Sequence, residues 1–159
     1  MKVPMTLAIR ELQSAKIAFT SHLYDYEEKG GTTVSARELG VDEYTVIKTL
    51  IMQTEKKECF AILMHGNCQV STKELARVIG VKTISPCTPE VADKRSGYKI
   101  GGTSPFGTRI KMPVYMEESI LSLPKIYING GKRGFLVGLD PKEAQRLLSP
   151  TLVKVAIPG

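Results

Sequence analysis

The sequence VIKTLIMQTEKKECFAILM, from Val46 to Met64, places two apolar runs on either side of the polar segment Thr54 to Glu58. Short apolar runs with β-branched residues are typical of strands, and a short charged connection between two such runs predicts a hairpin. The second run, Cys59 to Met64, is the longest apolar run in the chain and suits a buried strand. We therefore expect this hairpin to form part of a β-sheet.

Short helices and strands are predicted on both sides of the hairpin, with Ser, Thr or Asp before helices and Gly after several of them. The predicted helices are Thr6 to Lys16, Ser35 to Leu39, Ser71 to Gly80, Glu90 to Arg95, Glu117 to Leu121 and Asp140 to Leu148. The further predicted strands are Ile17 to Tyr26, Lys82 to Ser85, Ile110 to Tyr115, Lys125 to Asn129, Phe135 to Leu139 and Leu152 to Ala156. These elements show no regular βαβ rhythm, which favours one mixed α/β (α+β) domain over residues 1–159, with a curved sheet.

Composition narrows the class of protein. The chain has 159 residues and three cysteines without CxxC spacing, which argues against a disulfide framework and a zinc site and favours a reducing compartment. No run is long enough to span a bilayer, so a cytoplasmic protein without a membrane partner is expected. A formal net charge of +6 makes a polyanion a candidate partner.

Motifs for a protein nucleophile, a metal or a cofactor are not visible in the sequence. The chain contains no GxSxG, HExxH or Walker A pattern, and its two histidines, His22 and His65, are far apart. We therefore predict no metal and no cofactor, and we interpret both histidines as structural or surface residues.

The segment Gly97 to Gly107 reads GYKIGGTSPFG and is too rich in glycine for an ordinary strand or helix. Its Ser-Pro step and its glycines predict a stiff turn with uncovered amides. Such a turn is either a plain loop or a site whose N–H groups bind an anion or a polarised carbonyl, and we favour the site.

Lys48 interrupts the first apolar run. In a strand, the period of two puts Val46, Lys48 and Leu50 on one face, where an ammonium needs a partner or a ligand. A lysine that extends to water at a strand end is the alternative. The aliphatic neighbours favour a functional role for Lys48.

Three motifs occur in order: VIKTL at Val46, GGTSPFG at Gly101 and GGKRG at Gly130. Together they resemble the YbaK/prolyl-tRNA synthetase-associated domain family, and within it the free-standing YbaK-type Cys-tRNA(Pro) deacylases. The resemblance runs from the first helix to the final strand. It implies a mixed α/β fold with a highly curved, partly closed sheet, and hydrolysis in trans of the ester of mischarged tRNA(Pro). It also implies that the thiol of a cysteinyl substrate can attack its own carbonyl.

The resemblance also implies roles for individual residues. Lys48 would contact the terminal ribose or phosphate of tRNA or the amino-acid end, while the amides of Gly101 and Gly102 would bind the carbonyl oxygen. Further residues would bind the substrate: Tyr24, Thr49, Thr103, Ser104, Pro105, Gly107, Asn129, Gly130 and Gly131. Two positions differ from the cysteine-specific members, which tend to have an aromatic residue within Gly30 to Thr33 and often a small hydroxyl residue at Asn129.

Seven basic residues lie before, after or within the second and third motifs and fit a tRNA partner, although a solvated surface would look similar. They are Lys94, Arg95, Lys99, Arg109, Lys111, Lys132 and Arg133. We expect an aminoacyl-tRNA deacylase acting on mischarged tRNA(Pro). The alternatives are a non-catalytic member of the same fold that binds tRNA, a nucleotide or prolyl-tRNA synthetase, and a general RNA-binding module.

Overall fold

The predicted hairpin lies at the centre of the fold in a computed structural model, which describes residues 3–159. Within those residues the helices are α1 Leu7–Ser14, α2 Gly31–Leu39, α3 Thr72–Ile79, α4 Pro89–Ser96 and α5 Pro141–Leu148. The strands there are β1 Thr20–Leu23, β2 Val46–Thr54, β3 Cys59–His65, β4 Cys68–Val70, β5 Ile84–Pro86, β6 Val114–Glu117, β7 Ile126–Lys132, β8 Phe135–Leu139, β9 Thr151–Val153 and β10 Ala156–Pro158. Short 3₁₀ helices, Glu43–Thr45 and Glu118–Ser122, precede β2 and follow β6.

Eight strands form one mixed sheet in the order β1-β8-β7-β2-β3-β6-β9, with β5 beside the end of β2. Its antiparallel pairs include β2 with β3 and β7 with β8, while β2 with β7, β3 with β6 and β6 with β9 are parallel. The remaining strands, β4 and β10, pair with each other. The mixed α/β architecture and the absence of a doubly wound order confirm the predicted fold class.

One edge of β2 changes neighbour along its length. Its first residues, Val46 and Ile47, pair with β7, and its last three pair with β5. Between them, residues 48–51 have no strand partner on this edge within the described part of the chain, although Ile51 C=O accepts from Cys87 N–H. Because Gly66 N–H donates to Val46 C=O on the β3 side, the alternating ladder turns the N–H and C=O of Thr49 toward this opening.

Side chains from both faces of β3 are buried. Leu63 belongs to a core cluster with α1, whereas Ile62 and Met64 pack with Leu75 of α3 on the other face. Lys48 lies opposite Met64 in the ladder and therefore projects from the α3 side of the sheet. Burial on both faces explains why β3 is a continuous apolar run.

Several element boundaries differ from the sequence prediction, and the predicted last strand, Leu152 to Ala156, is divided between β9 and β10. Helix α2 begins at Gly31, four residues before the predicted start at Ser35, and Ser35 is buried within the helix. Thr32 hydrogen-bonds outside the helix and so supports a first turn that the glycines alone would disfavour. Strand β1 is limited to Thr20–Leu23, and β6 begins at Val114 instead of Ile110. In both cases the strand extends only where a neighbouring strand pairs with it.

Candidate active site

A cavity of about 480 Å³ lies beside the opening in the edge of β2. Its walls come from the loop after β1, the first half of α2, the start of β2, the glycine-rich loop and the β7–β8 hairpin. The predicted site residues among its lining are Tyr24, Lys48, Thr49, Gly101, Thr103, Asn129 and Arg133. The fold thus brings Lys48 and the glycine-rich loop, which are distant in sequence, to one cavity.

Lys48 is half-buried between two apolar clusters on the same face of the sheet. Its Nζ donates a hydrogen bond to Gly66 C=O at 3.3 Å and forms no ion pair within residues 3–159. Burial lowers the pKa of Lys48, and the acidic groups of Cys68 and Glu43 raise it by less. The ammonium therefore retains hydrogen-bonding capacity for a ligand.

Gly66 C=O, which accepts the hydrogen bond from Lys48, is held in place by a small polar network. Thr32 Oγ1 lies 3.1 Å from Gly66 C=O and 2.8 Å from Glu43 Oε2, so its hydroxyl can donate to either oxygen. Thr33 Oγ1 donates to the same Glu43 carboxylate at 3.3 Å. The network connects the first turn of α2 to the turn after β3 and fixes the carbonyl that Lys48 contacts.

In the glycine-rich loop, Gly101 lines the cavity with a free amide. The φ of Gly101 is +86°, and its N–H forms no hydrogen bond within the described residues. By contrast, Gly102 N–H donates to Lys99 C=O at 2.8 Å. Gly102 also does not line the cavity. The Gly102 amide predicted to bind the carbonyl oxygen is therefore not free, because the turn itself uses its N–H, and the role of the Gly101 amide stays a prediction.

Asn129 joins the hairpin to the glycine-rich loop. Its Oδ1 accepts from the N–H groups of Gly131 and Lys132, and its Nδ2 donates to Gly101 C=O at 3.2 Å. Arg133 adds a second link, since its Nε donates to Ile100 C=O at 2.8 Å. Asn129 lines the cavity, as predicted for its opposite wall, and its hydrogen bonds also hold that wall together.

The remaining predicted substrate-binding residues lie outside the cavity lining: Ser104, Pro105, Gly107, Gly130 and Gly131. Ser104 is fully buried and its Oγ accepts from Phe106 N–H. A Cβ on Gly107 would lie 2.5 Å from Leu7 C=O, so this part of the loop packs against α1. Gly130 C=O accepts from the Thr6 hydroxyl at 2.5 Å, at the start of the same helix. Ser104, Gly107 and Gly130 thus have packing or hydrogen-bond partners within the fold, and substrate contact by these five residues stays a prediction.

The seven predicted tRNA-binding residues form no salt bridge within residues 3–159. All are solvent-exposed except Arg95, which is partly buried. Of these residues, Arg133 lines the cavity, with its guanidinium 5.2 Å from the centre of the Tyr26 ring. Their positive charges are thus available to an external anion.

Several lining residues were not predicted, among them Tyr26, Val34, Ser35, Ile100 and Leu136. Tyr26 could have been found, because a period of two places it on the same side of an extended chain as Tyr24. Val34 and Ser35 were missed because the start of α2 was predicted too late. Ser35 Oγ lies 3.0 Å from the Tyr24 hydroxyl, so the helix also orients that ring.

The histidines lie outside the cavity lining. His65 is fully buried, its Nδ1–H donates to Tyr44 C=O and its Nε2 accepts from the Ser119 hydroxyl, each at 2.7 Å. Burial lowers the pKa of His65 and favours this neutral form. His22 Nε2 hydrogen-bonds Thr20 Oγ1 on β1. Both rings have structural partners.

The residues from 3 to 159 contain no group of three His, Cys, Asp or Glu side chains arranged to bind a metal. The three cysteines are free thiols, with the sulfurs of Cys59 and Cys87 3.7 Å apart. No helix in the same part of the chain has the length and apolar character needed to cross a bilayer.

Known proteins share this sequence pattern and fold. The model of the aminoacyl-tRNA editing domain matches residues 27–147. The chain is 27% identical to EbsC of Enterococcus faecalis, provisionally named a Cys-tRNA(Pro)/Cys-tRNA(Cys) deacylase, over 86% of this chain and 84% of EbsC. It is 36% identical to the proline–tRNA ligase of Thermodesulfovibrio yellowstonii over 56% of this chain and 15% of the ligase.

Solved structures with the same fold include one provisionally described as a trans-editing enzyme for prolyl tRNA synthetase. It superposes with a TM-score of 0.83 and 22% identity, covering 98% of this chain and 99% of that one. The match to the family model includes the residues that line the cavity except Tyr24 and Tyr26, which precede it. The chain therefore belongs to the aminoacyl-tRNA editing domain family.

Proposed function

We propose that this chain hydrolyses the ester of mischarged aminoacyl-tRNA in trans, with Cys-tRNA(Pro) as the first candidate substrate. The observation that carries the proposal is the cavity shared by the half-buried Lys48 and the free amide of Gly101. Membership of the editing family and the provisional name of EbsC support the reaction and the substrate.

The chemistry requires little from the protein because an aminoacyl ester is already activated. Lys48 would contact the phosphate or ribose of the terminal nucleotide or the amino-acid end, while Gly101 N–H would donate to the ester carbonyl oxygen. Water then attacks the carbonyl carbon and the C–O bond to the ribose breaks. With a cysteinyl ester, the substrate thiol could take the place of water, its sulfur bonding to the carbonyl carbon as its proton passes to the departing ribose oxygen.

The partner proposed for this site is tRNA, with prolyl-tRNA synthetase as the second candidate partner in the editing reaction. Basic side chains without intramolecular ion pairs flank the glycine-rich loop and the hairpin, where phosphates could bind. We place the reaction in the cytoplasm, and three free thiols fit such a reducing compartment. Residues 1–159 would act as a single domain.

The test is the half-life of the ester on tRNA(Pro) charged separately with cysteine, alanine or proline. The native chain is expected to shorten the half-life of a mischarged ester and to spare prolyl-tRNA(Pro). Lys48→Ala is expected to lose this activity, whereas Lys73→Ala, at an exposed lysine of α3, should retain it. Unchanged half-lives with the native chain would overturn the proposed reaction. Full activity of Lys48→Ala would overturn only the role of Lys48.

A further inference from the structure

Tyr26 provides a hydroxyl at the glycine-rich loop that the sequence analysis did not use. Its ring lines the cavity, and a Cβ on Gly101 would lie 2.4 Å from its Oη. The phenol oxygen therefore occupies the space that a side chain at position 101 would need, next to the free amide of Gly101. Within residues 3–159 this hydroxyl forms no hydrogen bond.

The ring of Tyr26 is held in place from two sides. The Arg133 guanidinium lies 5.2 Å from the ring centre, and the same guanidinium donates to Ile100 C=O. On the other side, the Cβ of Tyr26 lies near Gly134, whose C=O accepts from Tyr24 N–H. One residue, Arg133, thus positions both the phenol ring and the peptide that carries the Gly101 N–H.

The peptide geometry explains why the Gly102 N–H is not a second donor at this point. In a trans peptide the N–H points away from the C=O, so the hydrogen bond from Asn129 to Gly101 C=O turns the Gly102 N–H to the opposite side. That N–H is then used by Lys99 C=O. An oxyanion is commonly stabilised by more than one donor, and the Tyr26 hydroxyl is the unbonded side-chain donor next to Gly101.

We propose that Tyr26 is a catalytic residue whose hydroxyl, together with the Gly101 N–H, donates a hydrogen bond to the ester carbonyl oxygen in the transition state. This inference rests on the proposed deacylation. As water adds to the carbonyl carbon, the electron pair of the C=O bond moves to oxygen, where the two donors stabilise it. The pair returns when the ester C–O bond breaks, and the ribose oxygen leaves with the proton given up by water. Tyr26 keeps its own proton throughout.

The test compares kcat and KM on one charged tRNA for the native chain and Tyr26→Phe, which keeps the ring beneath Arg133. Loss of one oxyanion donor should lower kcat by about 100-fold. KM should change by less than about twofold, because the donor acts on the transition state. Tyr127→Phe is the matched control, since Tyr127 lies on β7 outside the cavity lining and should leave both constants unchanged.

Two further measurements distinguish a catalytic role of the Tyr26 hydroxyl from a role of another cavity hydroxyl and from a loss of substrate binding. Thr103→Val removes another hydroxyl of the cavity, and a large kcat loss there with native kcat in Tyr26→Phe would overturn the assignment. A nonhydrolysable 3′-amide analogue of the aminoacyl-tRNA should bind the native chain and Tyr26→Phe with equal affinity. If the native chain cleaves esters and Tyr26→Phe does so at the same rate, the inference on Tyr26 fails alone. An inactive native chain overturns the proposed function itself.

Discussion

At the residue scale, the positive charge of Lys48 lies among apolar side chains, where burial of a charge destabilises the fold. The residue shares its face of β2 with Leu50 and Met52, and it lies opposite Met64 in the ladder. Burial disfavours the ammonium, and the carboxylate of Glu43 acts on it only through space, without an ion pair. A structural role alone would be filled better by an aliphatic residue, so its presence is best explained by ligand binding.

This reasoning predicts that Lys48→Met stabilises the protein while it abolishes deacylation. We expect the free energy of unfolding at about pH 7 to rise by about 1 kcal/mol, because a buried charge is removed. Gly66 C=O retains Thr32 as a possible donor, so no buried acceptor is left unpaired. Urea denaturation measures the effect, and Lys73→Met, on the exposed side of α3, should change neither stability nor activity.

The effect of Lys48→Met on the free energy of unfolding should depend on pH. The pKa of Lys48 is lower in the folded chain than its ordinary value of 10.5, so the unfolded chain holds this proton to higher pH. Between the two pKa values the free energy of unfolding of the native chain rises with pH. The stability advantage of Lys48→Met should therefore shrink from about pH 7 to about pH 10. An advantage that is absent at about pH 7, or that grows toward about pH 10, would contradict the account of Lys48.

At the scale of elements, the glycine-rich loop is held against the β7–β8 hairpin. A Cβ on Gly102 would lie 2.8 Å from the backbone N of Arg133 and 3.0 Å from the carbonyl carbon of Lys132. The hairpin is irregular at this point, since its register shifts between Asn129 and Lys132. Close approach of the two backbones, rather than a free amide, is the reason for glycine at position 102.

Gly102→Ala should therefore separate the loop from the hairpin. We expect kcat/KM to fall by at least about tenfold, because the Gly101 amide moves relative to Lys48. The free energy of unfolding should fall by about 2 kcal/mol from the steric overlap. Gly40→Ala is the control: its φ of +68° disfavours alanine, but apart from its chain neighbours and its own helix backbone no described atom lies within 4 Å of the added Cβ. That variant should lose stability and keep its activity, and a Gly102→Ala enzyme with native kcat/KM would disprove the close-packing explanation.

At the scale of the whole molecule, some basic residues form salt bridges within residues 3–159, whereas those of the glycine-rich loop and the β7–β8 hairpin do not. The formal net charge is +6, and the salt bridges within residues 3–159 involve Arg37, Arg77, Arg146 and Lys154 as the cations. The basic residues of the loop and hairpin are outside these pairs. A polyanion that binds them would not have to break existing ion pairs.

Removal of two of these charges should weaken tRNA binding in a salt-dependent way. For Lys99→Gln combined with Lys132→Gln, we expect the slope of log Kd against log salt to fall by about one for each lost phosphate contact. The control combines Lys16→Gln with Lys142→Gln, two exposed lysines at the end of α1 and in α5, and carries the same net charge. Filter binding or fluorescence anisotropy over a range of salt concentrations gives both slopes. Equal slopes for the two double variants would mean that net charge alone governs binding.

Local chemistry explains which elements were predictable. The hairpin of β2 and β3 follows from two apolar runs around a charged turn, and Thr6, Ser71 and Thr88 cap helices as their positions predict. The start of α2 was not predictable in this way, because Gly30 and Gly31 disfavour a helix. Its first turn depends on Thr32, which contacts Glu43 and Gly66 from other elements. Strands β4 and β10 are short and pair only with each other, so neither has a strong local signal.

The sequence by itself determined the central hairpin, the mixed fold class and two components of the candidate site, Lys48 and a loop rich in glycine. These depend on periodicity and backbone freedom, which are properties of neighbouring residues. Only the tertiary structure decided that the N–H of Gly102 is occupied, that Tyr26 contacts Gly101, and that Ser104 and Gly107 pack away from the cavity. The physical reason is that hydrogen-bond partners and steric contacts between distant segments depend on how the β7–β8 hairpin, α1 and the loop meet in space.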